Sequence, residues 1–314
     1  MGGVKHFLLR SLLLIVPFAL LLGVVWLVDP YGMFHADGVV SAETKRKNLD
    51  HSGRTMAFSN VMWKLLEYER DPAENVIFGD SRLSYFDLDH LENVAGADHF
   101  NFGVPGGNYR TISDLYELAT EIRRPKNVYI QVGFRAMRPG MDWDLVHEAR
   151  TLAEKPLLYL TNRRVLEATA LNLYSTWFPD RVKHDELPPD QWERVLEMEA
   201  ANIDGFSLDE SIFAMLEEIA EDCRKYGSKL VLIEYPTHPD VSDMYEEAGL
   251  MDLRQQYVAR MSAIAPFIDL DQPGLFPSSK DYWRDPLHLT VETQRMVIDT
   301  VWGDRNGEVT AIVR

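Results

Sequence analysis

The stretch NVIFGDSR occupies residues 75–82. Its run of apolar side chains is typical of a strand buried on both faces, and the glycine that follows favours a tight turn. The same alternation of apolar strand and helical periodicity recurs along the chain. Four more strands are predicted, at residues 99–103, 127–133, 229–236 and 266–271. Short apolar strands separated by helices predict an α/β domain whose five-stranded parallel sheet is covered on both faces.

Two segments depart from this alternation. Residues 29–53 are polar and irregular, and we interpret them as a tether or a loop lying on the domain. Residues 135–205, between the third and fourth strands, predict a helical insert or lid, because structureless connections of that length are rare in compact domains. The main domain is expected to span residues 54–314 and to close with an amphipathic helix at residues 291–302.

The N-terminus predicts a membrane anchor at residues 1–28. An apolar run over residues 11–28 would form a helix about 27 Å long, close to the thickness of a bilayer core. A cleaved signal peptide is the alternative, but no small-x-small cleavage site follows the run. We therefore favour an uncleaved anchor, with the lipid bilayer contacting residues 7–28.

Charges around the apolar run predict its orientation. Lys5 and Arg10 precede the run and Asp29 follows it, so the positive-inside rule places the N-terminus in the cytoplasm. The expected location is the inner (cytoplasmic) membrane, with a single pass and a main domain that is periplasmic or extracellular.

Composition excludes some classes of protein. The net charge of −17 argues against a nucleic-acid partner, because phosphate binding needs a basic surface. Cys223 is the single cysteine of the chain, so neither an intrachain disulfide nor a cysteine zinc cluster can form.

Polar motifs follow the predicted strands at three places. Ser81 follows the first strand, the glycine-rich segment 103–108 follows the second, and Asp285 and His288 precede the last helix. Ligands of parallel sheets bind beyond the carboxyl ends of the strands. A serine nucleophile needs an imidazole base that a carboxylate orients. The sequence therefore predicts a triad of Ser81 as nucleophile, His288 as base and Asp285 as its orienting acid.

These motifs resemble the conserved blocks of the SGNH/GDSL hydrolase superfamily. GDSR at residues 79–82 and DPLH at 285–288 resemble its first and last blocks, and NFGVPGG at 101–107 resembles its second. The resemblance covers residues 75–302. It implies a flavodoxin-like three-layer sandwich with an oxyanion hole formed by the N–H groups of Ser81 and Gly106. It also implies that neither a metal nor an organic cofactor takes part.

The third block departs from the family pattern. The family has Gly-x-Asn-Asp there, with the Asn side chain as a further oxyanion donor, whereas residues 132–135 read Val-Gly-Phe-Arg. Losing one such donor costs about 2.7–4 kcal/mol of transition-state stabilisation. Gly107 and Asn108 are alternative sources of a donor. Asn108, Arg82 and Arg135 are also candidate substrate-binding residues, although solvated surface arginines are the alternative interpretation.

The combination of an anchor and an altered third block is similar to membrane-tethered SGNH proteins that assist cell-envelope acylation, such as the D-alanine transfer protein and the alginate O-acetylation proteins. This similarity implies a serine-dependent esterase or O-acyltransferase acting on acyl esters of an envelope polysaccharide. The expected partners are an acyl-ester or glycan substrate and a multi-spanning membrane acyltransferase. The alternative is a catalytically weak scaffold whose insert binds such a partner.

A metal-dependent phosphoesterase is a third hypothesis. It would use Asp80, His238, Asp285 and His288, but the Asp-x-His and Gly-Asn-His signatures of such a site are absent from the sequence. Asp80 is expected to cap or tune the turn rather than react, and His238 is expected to be a loop histidine.

Overall fold

The computed structural model describes most of the chain. The described ranges are residues 2–50, 56–84, 86–138, 144–182 and 188–303, with side chains from residue 15 onward. The chain forms two compact units. Unit 1 comprises Met1–Arg70 and Leu145–Glu186, and unit 2 comprises Asp71–Asp144 and Leu187–Arg314.

Thirteen α-helices occur in the described residues. In chain order they are α1 Gly2–Val28, α2 Ala42–Leu49, α3 Met56–Arg70, α4 Leu88–Ala95, α5 Tyr109–Ile122, α6 Leu145–Ala153, α7 Pro156–Thr161, α8 Arg163–Trp177, α9 Gln191–Ile203, α10 Glu210–Tyr226, α11 Pro239–Glu247, α12 Met251–Ile264 and α13 Val291–Trp302. Helices α1 to α3 and α6 to α8 belong to unit 1, and the others belong to unit 2.

Unit 2 contains the parallel sheet. Its strands are β1 Asn75–Gly79, β2 His99–Gly103, β3 Asn127–Val132, β4 Lys229–Glu234 and β5 Phe267–Asp269. Every neighbouring pair is parallel, in the order β2-β1-β3-β4-β5. The predicted α/β class and the predicted five-stranded parallel sheet are confirmed. The strand order matches that of flavodoxin-like folds, with the switch point between the first and third strands.

Alternate residues of the strands pack against different helices, as the period of a strand requires. Ile77 and Tyr129, paired across β1 and β3, join a buried cluster with Leu91 of α4 and Val297 of α13. Phe78, which alternates with Ile77, contacts Tyr116 of α5. Buried apolar residues on both sides of β1 explain why its sequence is continuously apolar.

The expected insert is divided between the two units. Helices α6 to α8 lie in unit 1, whereas α9 lies in unit 2. Within unit 1, α3 packs against α6. The sequence predicts that the main domain begins at residue 54, whereas unit 2 begins at Asp71. The difference arises because α3 packs against α6, which places α3 in unit 1.

Residues 29–50, the part of the expected tether that the structure describes, are more ordered than an irregular loop. They contain α2, which Ser41 caps by accepting a hydrogen bond from the Thr44 N–H at 3.2 Å. Helix α2 buries Asn48 and Leu49 although its sequence is mostly polar. Its short length and weak apolar pattern explain why periodicity does not predict it.

The predicted anchor falls partly outside the described residues, because the side chains of residues 1–14 are not among them. Over the part that the structure describes, no helix combines the length and the hydropathy of a membrane span.

Asp29 organises the loop that follows α1 in unit 1. It is fully buried and adopts a φ of 44°, in the left-handed region that few residues other than glycine occupy. Its carboxylate accepts hydrogen bonds from the backbone N–H groups of Met33, Phe34 and His35 at 2.7–2.9 Å, and from the Tyr159 hydroxyl at 2.8 Å. One buried carboxylate therefore joins this loop to α7.

We predict that Asp29→Asn loosens this loop. The amide nitrogen cannot accept a hydrogen bond, and losing one bond to a charged acceptor costs about 1.5–3 kcal/mol. Backbone amides of residues 33–35 should then exchange with deuterium about tenfold or more faster, since each 1.4 kcal/mol is a factor of ten. Asp37→Asn is the matched control, because exposed Asp37 accepts one backbone N–H, that of Ala42. Equal protection in both variants would contradict the assignment.

Candidate active site

Glycines at the strand ends make room for the turn that carries Ser81. A Cβ on Gly103 would lie 2.4 Å from the Cβ of Leu83, and one on Gly133 would lie 2.7 Å from a guanidinium nitrogen of Arg82. Real side chains do not tolerate such distances. The turn from Asp80 to Leu83 therefore packs directly on the ends of the neighbouring strands β2 and β3.

The structure brings together the three residues predicted as a triad. The Nδ1 atom of His288 lies 2.8 Å from both carboxylate oxygens of Asp285, and its Nε2 atom lies 2.8 Å from Ser81 Oγ. A proton on Nδ1 faces the carboxylate, which leaves Nε2 as the acceptor of the Ser81 hydroxyl. Asp285 is 3% exposed, whereas His288 is partly exposed. This is the arrangement in which a serine hydroxyl can lose its proton to a base.

A two-stranded hairpin presents Asp285 and His288. Strand β6, Trp283–Asp285, pairs antiparallel with β7, His288–Leu289. The Asp285 side chain accepts the N–H groups of Leu287 at 2.9 Å and His288 at 3.1 Å, as Asp residues do in tight turns. Apolar periodicity does not reveal this hairpin, because its two strands are only three and two residues long. The Asp-Pro dipeptide was its available turn signal.

Gln191 is a site residue that the sequence analysis missed. It opens α9, and its Nε2 donates to Asp285 Oδ2 at 3.3 Å. Burial raises the pKa of Asp285, but the hydrogen bond and charge of His288, with the donors of Leu287 and Gln191, outweigh it and hold that pKa below its ordinary value. Asp285 therefore stays ionised opposite the imidazole. A single glutamine in a helix offers no sequence signal for this contact.

Arg82 lies inside unit 2 rather than on its surface. It is 3% exposed, and its guanidinium donates to both carboxylate oxygens of Asp80 at 3.0–3.2 Å. Burial disfavours ionisation of Asp80, but the charge and hydrogen bonds of Arg82 prevail and hold the Asp80 pKa well below its ordinary value. The Gln131 side chain of β3 donates through Nε2 to the Asp80 carboxylate at 2.9 Å and accepts the Asp80 backbone N–H through Oε1 at 3.1 Å. The ion pair of Asp80 and Arg82 therefore stabilises the turn that carries Ser81, in agreement with the expectation that Asp80 caps or tunes this turn.

Arg135 pairs with a carboxylate of α9. Its guanidinium donates to Glu199 at 2.7 and 3.2 Å, and the Tyr245 hydroxyl donates to the same carboxylate at 3.3 Å. Glu199 is 1% exposed. The buried carboxylate neutralises this guanidinium, so the main interaction of Arg135 is an internal ion pair. The side chain is partly exposed, and its exposed part can still contact a ligand.

Gly106 lies in a turn directly beyond β2. The Gly107 N–H donates to the Val104 carbonyl at 2.8 Å, with Pro105 and Gly106 as the central residues. Gly106 has a φ of 72°, which the third position of a type II turn requires. Among the described residues, no backbone acceptor takes the N–H of Gly106 or of Ser81. Both N–H groups assigned to the oxyanion hole thus remain available.

Asn108 caps α5. Its side-chain oxygen accepts the N–H of Thr111 at 2.9 Å and the Thr111 hydroxyl at 3.0 Å. Because this oxygen caps the helix, only the amide nitrogen of Asn108 can act as the hydrogen-bond donor that the sequence predicts.

A polar pocket of about 790 Å³ opens beside the nucleophile turn. Its lining includes Asp80, Arg82, Asn108 and Arg135, together with the first turns of α5 and α10. No triad residue lines it. Asp80 and Arg82, which flank Ser81 in the chain, are the residues through which this pocket adjoins the turn.

Phe134, the variable residue between the glycine and the asparagine position of the third block, contributes no polar side-chain atom. It is 1% exposed and packs on Phe206, Tyr245 and Tyr257. Its N–H donates to the buried carboxylate of Glu234 at 2.9 Å. Position 134 is therefore part of an aromatic core.

Glu234 is a second residue that the sequence analysis missed. It ends β4 and accepts hydrogen bonds from the Phe134 N–H and from the Tyr257 hydroxyl. Burial, reinforced by the charge of Asp271, raises the pKa of Glu234 to about 7, although Arg254 acts in the opposite direction.

His238 does not reach the nucleophile. Its Nδ1 accepts the Asp240 N–H at 3.1 Å and its Nε2 donates to the Ser278 carbonyl at 2.9 Å, while its ring contacts Trp192 and Trp283. It caps α11 from a buried position, as a structural histidine. Across the described side chains, no three His, Cys, Asp or Glu residues are grouped as metal ligands would be.

No family model matches the chain, and no curated protein matches it.

We predict that Glu234 makes stability depend on pH. Its folded-state pKa lies above its unfolded value, so the folded protein holds a proton that the unfolded chain releases between pH 4.5 and 7. Stability should therefore fall as pH rises through this window, and Glu234→Gln should remove that fall. Thermal unfolding of the full chain at several pH values measures the difference between the two proteins.

Glu210→Gln is the control for this experiment. Its hydrogen bond with Arg260 lowers the pKa of Glu210, so the stability that it contributes is already complete above its unfolded value of 4.5. The difference between wild type and this variant should be flat from pH 5 to 7. A Glu234→Gln difference that is equally flat would show that Glu234 is ionised in the folded protein.

Proposed function

We propose that this chain is a serine-dependent esterase or O-acyltransferase of the SGNH type. The observation that supports it is the hydrogen-bonded series Ser81–His288–Asp285, with both contacts at 2.8 Å. The three residues come from two segments 207 positions apart, so a chance turn does not account for their alignment. The glycine-lined turn and the unengaged N–H groups beside Ser81 agree with acyl transfer.

The proposed reaction follows from this order of groups. His288 Nε2 takes the proton of Ser81 as Oγ attacks an ester carbonyl, and Asp285 stabilises the imidazolium that results. The N–H groups of Ser81 and Gly106 then face the negative oxygen of the tetrahedral intermediate. His288 returns the proton to the departing alkoxide, which leaves an acyl group on Ser81. A water or a glycan hydroxyl gives its proton to His288, attacks the acyl carbonyl and releases Ser81.

The resemblance noted above extends this proposal to an acyl ester of an envelope polysaccharide as substrate. It extends it likewise to a location outside the cytoplasmic membrane, with residues 7–28 as anchor, and to a multi-spanning membrane acyltransferase as partner. The polar pocket of about 790 Å³ adjoins the turn through Asp80 and Arg82 but has no triad residue in its lining, so it is not assigned to the reacting acyl group. Its amide, carboxylate and guanidinium groups can hydrogen-bond more distant hydroxyls of such a substrate.

A scaffold without efficient catalysis is the second candidate. The observation that favours it is the third block, where Arg135 stands at the spacing of the family asparagine and its guanidinium is already paired with Glu199. In this alternative, the α/β unit is retained and a membrane acyltransferase performs the chemistry. The triad geometry favours the enzyme, because a scaffold would not need the imidazole aligned with Ser81.

We predict that a fluorophosphonate probe labels the full chain at Ser81. His288 activates this hydroxyl, so Ser81→Ala should abolish labelling, as read by mass spectrometry of the labelled peptide. Ser84→Ala is the matched control, because Ser84 ends the same turn and its buried hydroxyl has no hydrogen-bond partner among the described residues. Labelling that persists in Ser81→Ala, or a folded wild-type protein that never reacts, would favour the scaffold.

We predict that Asp285→Asn lowers the labelling rate by about 10⁴, because the amide no longer holds His288 in the tautomer that accepts the serine proton. The measurement is the second-order rate constant with the same probe. Asp281→Asn, four residues earlier and exposed, should retain the wild-type rate. A rate in Asp285→Asn within about tenfold of wild type would contradict the triad assignment.

A further inference from the structure

Helices α7 and α8 of unit 1 expose large apolar side chains. Leu157 is 74% exposed, Trp177 is 68% exposed, and Leu158, Tyr174 and Phe178 are 43–50% exposed. We name these five residues the α7–α8 apolar surface. Water-exposed faces of helices normally carry charged and polar groups. Several large exposed apolar side chains on one pair of helices indicate a surface that a membrane or another protein covers.

The opposite side of these helices is already occupied. Tyr159, Val165 and Asn172 are buried in unit 1, and the Asn48 side chain of α2 donates to Asn172 at 3.0 Å. The exposed apolar residues therefore lie on the side of these helices that faces away from the core of unit 1. The packing of unit 1 leaves this side uncovered. Exposed polar side chains also lie there, namely those of Arg163, Glu167 and Thr176.

Helix α1 connects to this surface. It packs against both α7 and α8. Its described part also exposes large apolar side chains, namely Ile15, Val16, Phe18, Leu20, Leu21, Val24, Trp26 and Leu27. Three helices in mutual contact thus present apolar side chains outward, and one of them carries the longest apolar run in the sequence.

The charge around this surface differs from that of the chain as a whole. Residues 155–182 contain four basic and two acidic side chains, whereas the chain has a net charge of −17. Arg163 pairs with Glu167 and Arg164 pairs with Glu148. Lys155 and Arg181, which are exposed at the two ends of this segment, are therefore its basic side chains that can meet anionic headgroups. Trp and Tyr are also the residues that favour the boundary between lipid and water.

We propose that the α7–α8 apolar surface lies in the headgroup region of a bilayer that contains anionic lipid. Leu157, Leu158, Trp177 and Phe178 enter the boundary with the acyl chains, where such surfaces penetrate about 5–10 Å. Lys155 and Arg181 remain at the level of the phosphates. This contact is additional to the anchor proposed for residues 7–28 and does not depend on the esterase proposal.

The test uses lipid-borne quenchers. The single cysteine, Cys223, is buried and is replaced by alanine, and Trp177→Cys then carries an environment-sensitive fluorophore. The full chain is reconstituted in phosphatidylcholine–phosphatidylglycerol vesicles whose acyl chains bear a nitroxide near the headgroup. Tyr226→Cys is the matched control, because Tyr226 is an aromatic residue of unit 2 that is 52% exposed. Leu157→Cys is a second position on the surface, in case Trp177→Cys fails to fold.

The expected result is that emission at positions 177 and 157 is quenched at least about threefold more than at 226. Quenching at 177 should weaken in pure phosphatidylcholine, because the basic residues then lack anionic partners. Equal quenching at 177 and 226, or none at 177 and 157, would overturn the proposal. So would fluorophores that are shielded in native membranes but unquenched in vesicles, since that result assigns the surface to a protein partner.

Discussion

The hydrogen bond between Ser81 and His288 joins residues 207 positions apart, and the candidate active site depends on it. It can form only if the first strand of the sheet and the hairpin before the last helix end at the same place. Parallel strands make this possible, because their carboxyl ends lie along one edge. The glycines at the ends of β2 and β3 let the serine turn settle close to the sheet, and the short hairpin then brings the imidazole within reach.

Charged groups around this contact are buried in pairs. Asp80 with Arg82, and Arg135 with Glu199, lie within 3.2 Å of each other, and Asp285 keeps its charge opposite His288. An unpaired charge in such surroundings would be costly, so each pair also fixes the position of the backbone that carries it. Helix α9 contributes Gln191 to one end of this network and Glu199 to the other. A part of the insert is thereby integrated into the site.

The residues that follow Gly133 are used for packing and for charge pairing. Phe134 joins a core with Tyr245 and Tyr257, and its N–H donates to Glu234. Arg135, at the spacing of the family asparagine, pairs with the buried carboxylate of Glu199. This strand end therefore carries a guanidinium held in an internal ion pair in place of an amide donor, and the proposed oxyanion hole rests on the N–H groups of Ser81 and Gly106.

The sequence by itself determined the five strands, their parallel class and the identity of the three hydrogen-bonded residues Ser81, His288 and Asp285. Apolar periodicity and turn chemistry, from which these were predicted, are local properties of the chain. Only the tertiary structure decided that α3 joins the insert, that Arg82 and Arg135 are internally paired, and that Gln191 and Glu234 belong near the site. These facts depend on which distant segments pack together. A single glutamine, glutamate or arginine carries no local pattern that reveals its partner.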